Sequence, residues 1–273
     1  MGSEAGGRWW QFLLPWRHRE LIWQFGRRDV LTRYRGAGLG VAWSVLTPLA
    51  LLGVYTVVFR HVFNARWGAG HSESDLDFAL HLFAGLVIFQ WAADLWGRAP
   101  RLILEQVNLV TKLVFPLPVL AWSAALAGAF QLSIALAVWL AACVLAGYLP
   151  QWAWLALPLP LLSLLPALLG LSWMLASLGV FLRDISQVMG LLITGLLFLS
   201  PVFYPISALP EWLRPSVERL PLTAPIEALR RIVLVGRWPD PEPLLGLFAV
   251  GLVLAILGLL LMRRLQPGFA DVL

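Results

Sequence analysis

The stretch RRDVLTRYRGAGLGVAWSVLTP, residues 27–48, runs from a basic segment through closely spaced glycines into an apolar one. Arg27, Arg28, Arg33 and Arg35 lie in its first nine residues. Gly36, Gly38 and Gly40 follow, and the next charge is Arg60. The uncharged stretch exceeds the roughly 20 residues that a membrane-crossing helix needs. The segment therefore predicts where a bilayer begins, with a basic helix lying against it and a glycine hinge leading in. The apolar run is too long for a signal-peptide core and no small-x-small cleavage site follows it, so it reads as an uncleaved span.

Composition agrees with this reading. The chain is 60% hydrophobic and only 13% charged, with a mean hydropathy of +0.79, whereas soluble domains carry roughly 25% charged residues. The net charge of +5 suits basic membrane edges. No dense basic patch interleaved with aromatics argues for nucleic acid. Cys143 is the single cysteine, which excludes an intrachain disulfide or a cysteine metal cluster.

Working outward, apolar runs predict six spans, at about 37–59, 78–96, 117–146, 153–181, 185–204 and 244–262. Residues 113–182 contain no Asp, Glu, Lys or Arg. One helix of that length would extend about 105 Å, more than three bilayer cores, so the chain must turn back; Gly147, Pro150 and Trp152 mark the turn. Thirteen lysines and arginines fall on the N-terminal side of this topology and seven on the other. The positive-inside rule then puts both termini in the cytoplasm. Residues 1–36 form a cytoplasmic segment with an interfacial helix, 37–265 the transmembrane domain and 266–273 a cytoplasmic tail. Residues 209–220 and 225–235 read as short outer helices, too charged to span and too apolar for plain loop.

Two segments on the cytoplasmic side suit contact with a partner. In residues 98–112, Arg101, Glu105, Asn108 and Lys112 recur at helical spacing, with Ile103, Val107, Val110 and Val114 on another face, which predicts an amphipathic helix. Residues 20–35 predict a second, with Trp23, Arg27, Val30 and Tyr34 on one face; binding of membrane lipid explains its charge equally well. Arg183 and Asp184 mark a polar turn between spans four and five. His61, His71 and His81 flank acidic residues, but the spacing matches no zinc motif. Of the 33 aromatics, Trp91, Trp96, Trp152 and Trp154 fit an interfacial belt. Trp43, Tyr55, Phe59, Phe198, Phe203 and Tyr204, on spans one and five, are candidates to line a passage, where aromatic faces suit sugars.

The only lysine, Lys112, follows Thr111, so no phosphate-binding loop of the form G-x-x-x-x-G-K-[ST] exists in the chain. Nor do the spans carry the ionisable groups that ion-coupled transporters place at the midplane. Any uphill transport would draw its energy from outside this chain.

Residues 27–59 resemble the N-terminal signature of the membrane subunits of ABC type-2 exporters, specifically the bacterial polysaccharide permeases. Further matches follow in order: NLVTKLVFP at 108–116, FLRD at 181–184, SPVFY at 200–204, then LTAPI at 222–226 and Arg230. Pro225 stands displaced from the family's usual Asn-Pro. The resemblance, over about residues 20–265, implies a non-enzymatic, all-α integral membrane subunit of the bacterial cytoplasmic (inner) membrane. It implies a homodimer joined to a separate ATPase subunit that binds ATP and Mg, with no cofactor in this chain. It further implies a lipid-linked glycan (O-antigen-like, capsule or teichoic acid) as substrate. By the same resemblance, Arg27, Arg28, Asp29, Arg33, Arg35, Arg101, Glu105, Asn108 and Lys112 would couple to the ATPase. Gly36, Gly38 and Gly40 would form the hinge, and Pro210, Trp212, Pro225 and Arg230 an outer gate. Two other readings stay open: a type-2 exporter of small lipids or drugs, and a membrane enzyme of glycolipid assembly, which would need an acid, base or metal cluster at a membrane face.

Overall fold

The computed structural model describes residues 9–35, 38–62, 67, 75–107 and 115–272, and among these every regular element is a helix. The main helices are α1 (Arg19–Tyr34), α2 (Trp43–Thr56), α3 (Asp75–Arg98), α4 (Pro118–Leu145), α5 (Pro158–Phe181), α6 (Ile185–Leu199), α7 (Arg214–Glu218), α8 (Thr223–Arg230), α9 (Pro241–Leu265) and α10 (Phe269–Val272). Proline stands in the first turn of α4, α5, α7 and α9. There its missing N–H costs nothing and its fixed φ starts the helix.

Among the described residues, four helical segments are long and apolar enough to cross a membrane: Asp75–Arg101, Pro118–Leu145, Trp152–Phe181 and Pro241–Gly268. They correspond to the second, third, fourth and sixth predicted spans. The other two are shorter. α2 has 14 residues and runs on into a π-helical turn, Val57–Val62. α6 has 15 residues, about 23 Å, against a hydrocarbon core of about 30 Å. The fifth predicted span thus stops five residues early. Ser200 is extended (ψ 150°) because it precedes Pro201. The Tyr204 hydroxyl then donates to the carbonyls of Phe198 and Leu199, at 3.0 and 2.7 Å, satisfying the open end of the helix.

α5 and α9 are the most closely packed pair. A Cβ on Gly170 would stand 2.4 Å from the backbone of Leu254 and Ala255; one on Gly251 would stand 2.7 Å from the Ala167 nitrogen; one on Gly258 would stand 2.4 Å from the Gly170 carbonyl oxygen. Small residues at this spacing let two backbones touch, which is how helices associate where lipid removes the hydrophobic drive. Ser172 and Ser177 donate to the carbonyls of Leu168 and Trp173 one turn back, so no hydroxyl competes for a partner outside the helix. α3 fills the centre, with Phe78, Leu82, Ile88, Leu95 and Trp96 buried. Trp139 donates its indole N–H to the Leu80 carbonyl (2.9 Å) and Trp173 to that of Pro118 (3.0 Å), stapling α3 to α4 and α4 to α5.

Trp91 and Trp96 are 6% and 3% exposed. They are core residues rather than the interfacial belt their position predicted; Trp152, 83% exposed, does face outward. Of the amphipathic helix predicted over 98–112, the described part departs from a regular α-helix, and residues 108–112 lie outside the described residues. Residues 99–101 and 104–106 form two 3-10 turns, with Pro100 in the first turn, where its missing N–H costs nothing. The Pro100 carbonyl packs at Gly179, where a Cβ would come within 2.2 Å. Leu102 and Ile103 are buried while Arg101 and Glu105 stay exposed. Asn108, Lys112 and Gly36 lie outside the described residues.

Candidate functional site

Two polar clusters stand out, one at each end of α3. The first joins α1 to the Arg98 end. α1 lies along α4: a Cβ on Gly26 would meet Leu126 at 3.0 Å and the Ser123 carbonyl oxygen at 3.2 Å. Ile22 and Gly26 face the protein, whereas Trp23, Arg27, Leu31 and Arg35, four residues apart, face outward. The predicted stripe of Trp23, Arg27, Val30 and Tyr34 is therefore divided, with Tyr34 turned towards α4.

Asp29, half-buried, and Arg33, still exposed, belong to a charge chain. The Asp29 carboxylate accepts from Arg98 (2.8 Å), Arg98 reaches Asp94 (3.8 Å), and Arg33 Nη2 contacts both Asp94 oxygens at 2.9 and 3.1 Å. The signs alternate and sum to zero, so each charge is balanced while about 70% shielded. Burial lowers the Arg33 pKa, but the Asp94 hydrogen bond and charge outweigh it and leave it raised. Arg28 covers the Phe25 ring at 4.7 Å and donates to Gln106 at 3.4 Å, touching the turns after α3. Arg101 donates to Ser186 at the start of α6 (3.5 Å).

Beside this chain, Pro48 interrupts α2. It has no N–H to give the Ser44 carbonyl one turn earlier. Gln131 of α4 supplies that donor, with Nε2 at 2.7 Å from the Ser44 oxygen. The other end of the same amide accepts from the Tyr34 hydroxyl. Gln131, Gln90, Asp94, Arg33 and Trp91 line a cavity of about 110 Å³. Among the described residues nothing accepts from the buried Trp91 indole N–H.

The second cluster centres on Arg230 of α8, 3% exposed. Its guanidinium donates to the carbonyls of His81 (3.0 Å), Pro201 (2.7 Å) and Val202 (3.1 Å) and to Glu227 (2.7 Å). It also lies over the Trp67 ring, 4.2 Å from the centroid. Burial lowers its pKa to about 10, with Glu227 pulling it upward, so it is charged at neutral pH. α3, the turn after α6 and α8 are thereby pinned together. Pro225 is buried in α8, while Pro210 and Trp212 are exposed.

The aromatic candidates divide. Trp43 and Phe198 are 46% and 55% exposed, whereas Phe203 is buried, with Tyr55 edge-on at 5.2 Å and Phe198 at 5.6 Å. Tyr204 serves as the cap of α6. Phe59 lies in the π-helical turn. Gly38 and Gly40 meet nothing within 4 Å, and Gly40 has φ +48°, a backbone that other residues rarely adopt. Among the described residues no group of three His, Cys, Asp or Glu stands ready for a metal. His61 pairs with Asp75 at 3.5 Å on the surface; His71 lies outside the described residues.

Sequence reasoning did not assign roles to Asp94, Arg98 or Gln131. A signal existed for Gln131, the one amide side chain in residues 117–146, since an intramembrane polar group usually has a specific partner.

Residues 20–234 match the family described as ABC-2 type transporter. The O-antigen export system permease protein RfbA of Myxococcus xanthus is 28% identical over 241 residues, 88% of this chain and 90% of that one. A Klebsiella pneumoniae protein of the same name is 24% identical over 255 residues, 93% of this chain and 95% of its own. The polysialic acid transport protein KpsM of Escherichia coli is 23% identical over 244 residues, covering 88% and 92%.

Proposed function

The chain belongs to the ABC-2 type transporter family, and on that premise we propose that it is the membrane permease of a polysaccharide exporter. Relatives that match nearly end to end bear names of O-antigen and polysialic acid transport. The substrate is a lipid-linked glycan, O-antigen-like, capsule or teichoic acid. The permease acts as a homodimer of six-span subunits in the bacterial inner membrane, with both termini cytoplasmic and with α7 and α8 on the outer side. A separate subunit binds ATP and Mg and supplies the energy.

One observation carries this reading: buried and half-buried ion pairs sit at the two ends of α3, while α2 and α6 carry apolar, exposed faces with no Asp, Glu, Lys, Arg or His from Trp43 to Phe59 or from Ile185 to Phe203. Two copies facing each other through α2 and α6 would enclose a path with no charge to trap a long polymer. Trp43 and Phe198 stand on that path, where aromatic rings offer weak, repeated contact to sugar faces. α1, Arg101 and Glu105 form the cytoplasmic surface on which the ATPase acts. Gathering of ionisable groups away from the path also disfavours a membrane enzyme, which needs an acid, a base or a metal at its face.

The test is co-expression with ATP-binding subunits of the same organism, purification of the complex, and measurement of ATP hydrolysis with and without lipid-linked glycan. Stimulation by glycan is the expected result. Failure to associate with any ATPase would sink the proposal; stimulation by small amphiphiles alone would move the substrate to a lipid or drug.

A further inference from the structure

We propose that Gln131 is a positioning residue that fixes the angle between α1 and α2, so that the glycine loop between them is not the element that transmits movement. The connection from Tyr34 to Trp43 contains Gly36, Gly38 and Gly40. Nothing packs where a Cβ on Gly38 or Gly40 would be. A glycine-rich linker behaves as a flexible chain, and a displacement of α1 would be absorbed in it. A second path bypasses the loop. The Tyr34 hydroxyl donates to Gln131 Oε1, and Gln131 Nε2 donates to the Ser44 carbonyl. One amide therefore holds the last turn of α1 and the first turn of α2 to the same point on α4.

The proline makes the bridge specific. Pro48 provides no N–H for the Ser44 carbonyl, and Ser44 is only 2% exposed. In a bilayer a backbone carbonyl must find its donor within the protein. Gln131 is that donor because the amide has both a donor and an acceptor end; serine or threonine at this place would be too short to span from α4 to both helices. The charge chain Asp29–Arg98–Asp94–Arg33 attaches α1 to α3 alongside, so α1 is held to α3 and α4 by side chains and to α2 by the loop only covalently. The purpose given to this bridge rests on the exporter reading; its geometry does not, and the experiment reads geometry alone.

Spin labels at Arg27→Cys on α1 and Thr47→Cys on α2, both exposed positions, report the angle by pulsed dipolar spectroscopy. The full chain carries Cys143→Ala and sits in lipid nanodiscs, with labelled protomers diluted in excess unlabelled chain. A narrow distance distribution is expected for this background. Gln131→Leu removes the bridge and one backbone donor together. The double variant P48A/Q131L separates the two effects, because alanine restores an N–H for Ser44 inside α2. If Gln131 served only to satisfy that carbonyl, P48A/Q131L would be as narrow as P48A alone. The expected result is that P48A stays narrow at a shifted mean while P48A/Q131L broadens by about twofold, as free glycines would allow. Tyr34→Phe leaves the Gln131–Ser44 bond intact, removes only the α1 side, and is expected to broaden likewise. A narrow distribution in Tyr34→Phe or in P48A/Q131L overturns the proposal. An intact exporter with a narrow Tyr34→Phe distribution would reject the bridge and leave the exporter reading standing.

Discussion

α5 and α9 touch backbone to backbone, while α2 and α6 present glycines that meet nothing. Gly170, Gly251 and Gly258 leave no room for a methyl group; Gly53, Gly190 and Gly195 have nothing within 4 Å of where one would stand. The same residue type thus does opposite work in two parts of one bundle. Between α5 and α9 it permits contact that no larger residue allows, and the pair is a rigid frame. In α2 and α6 it leaves a smooth apolar surface that one protomer does not cover. Leu191, Leu192, Phe198 and Leu199 of α6 all exceed 50% exposure. The difference teaches that α5 and α9 close on each other, while the faces of α2 and α6 stay open.

The comparison can be broken in several places. Arg230 pins α3 and the turn after α6 to α8, so Arg230→Met is expected to have the largest effect. It withdraws the donors of three carbonyls, at about 1–3 kcal/mol for each one left buried without a partner, while Glu227, 40% exposed, stays solvated. Loss of the folded fraction in detergent, followed by tryptophan fluorescence on heating, measures it; a variant as stable as wild type would show that the pin is decorative. Next comes the frame itself. Gly258→Ala drives a methyl group against the Gly170 carbonyl, and overpacking of that kind costs about 1–3 kcal/mol. Since backbone rather than a side-chain tip stands in the way, relaxation by rotamer change is not available.

Asp94→Asn should weaken the attachment of α1 by about 1 kcal/mol, discounted because the charges are partly solvated. Its mark is regional: faster amide exchange in α1 with α5 and α9 unchanged. Equal acceleration everywhere would mean that α1 belongs to the frame. The smallest effect is expected for Gly195→Ala. In an open helical site alanine is favoured over glycine by up to about 1 kcal/mol, so the isolated protomer should gain slightly. If size-exclusion chromatography shows that the same change separates a dimer, the open face is the surface a second copy covers.

Much of this was legible beforehand because membrane insertion leaves a strong trace. Uncharged runs located all four long spans within a few residues, and Gly147 and Pro150 marked the turn between α4 and α5. Differences arose near prolines. Residues 99–101 and 104–106 form 3-10 turns within the helix expected at 98–112, and α6 ends at Leu199, just before the Pro201 and Pro205 that mark the close of that span. Asp29 and Arg33 read as part of a basic segment that would contact a partner, but three-dimensional neighbours pair them with Arg98 and Asp94.

By itself the sequence determined that this is an all-helical chain with long apolar segments, that its charges other than Asp94 lie outside them, and that it contains no phosphate-binding loop. Those properties follow from local composition and length, which bilayer thickness and backbone hydrogen bonding make decisive. Only the tertiary structure decided which polar groups meet: Arg33 with Asp94, Gln131 with Tyr34 and Ser44, Arg230 with carbonyls of α3 and the turn after α6. These pairings join residues 28 to 149 positions apart. No periodicity encodes them, because the pairing of a buried polar group depends on which helix faces fold together.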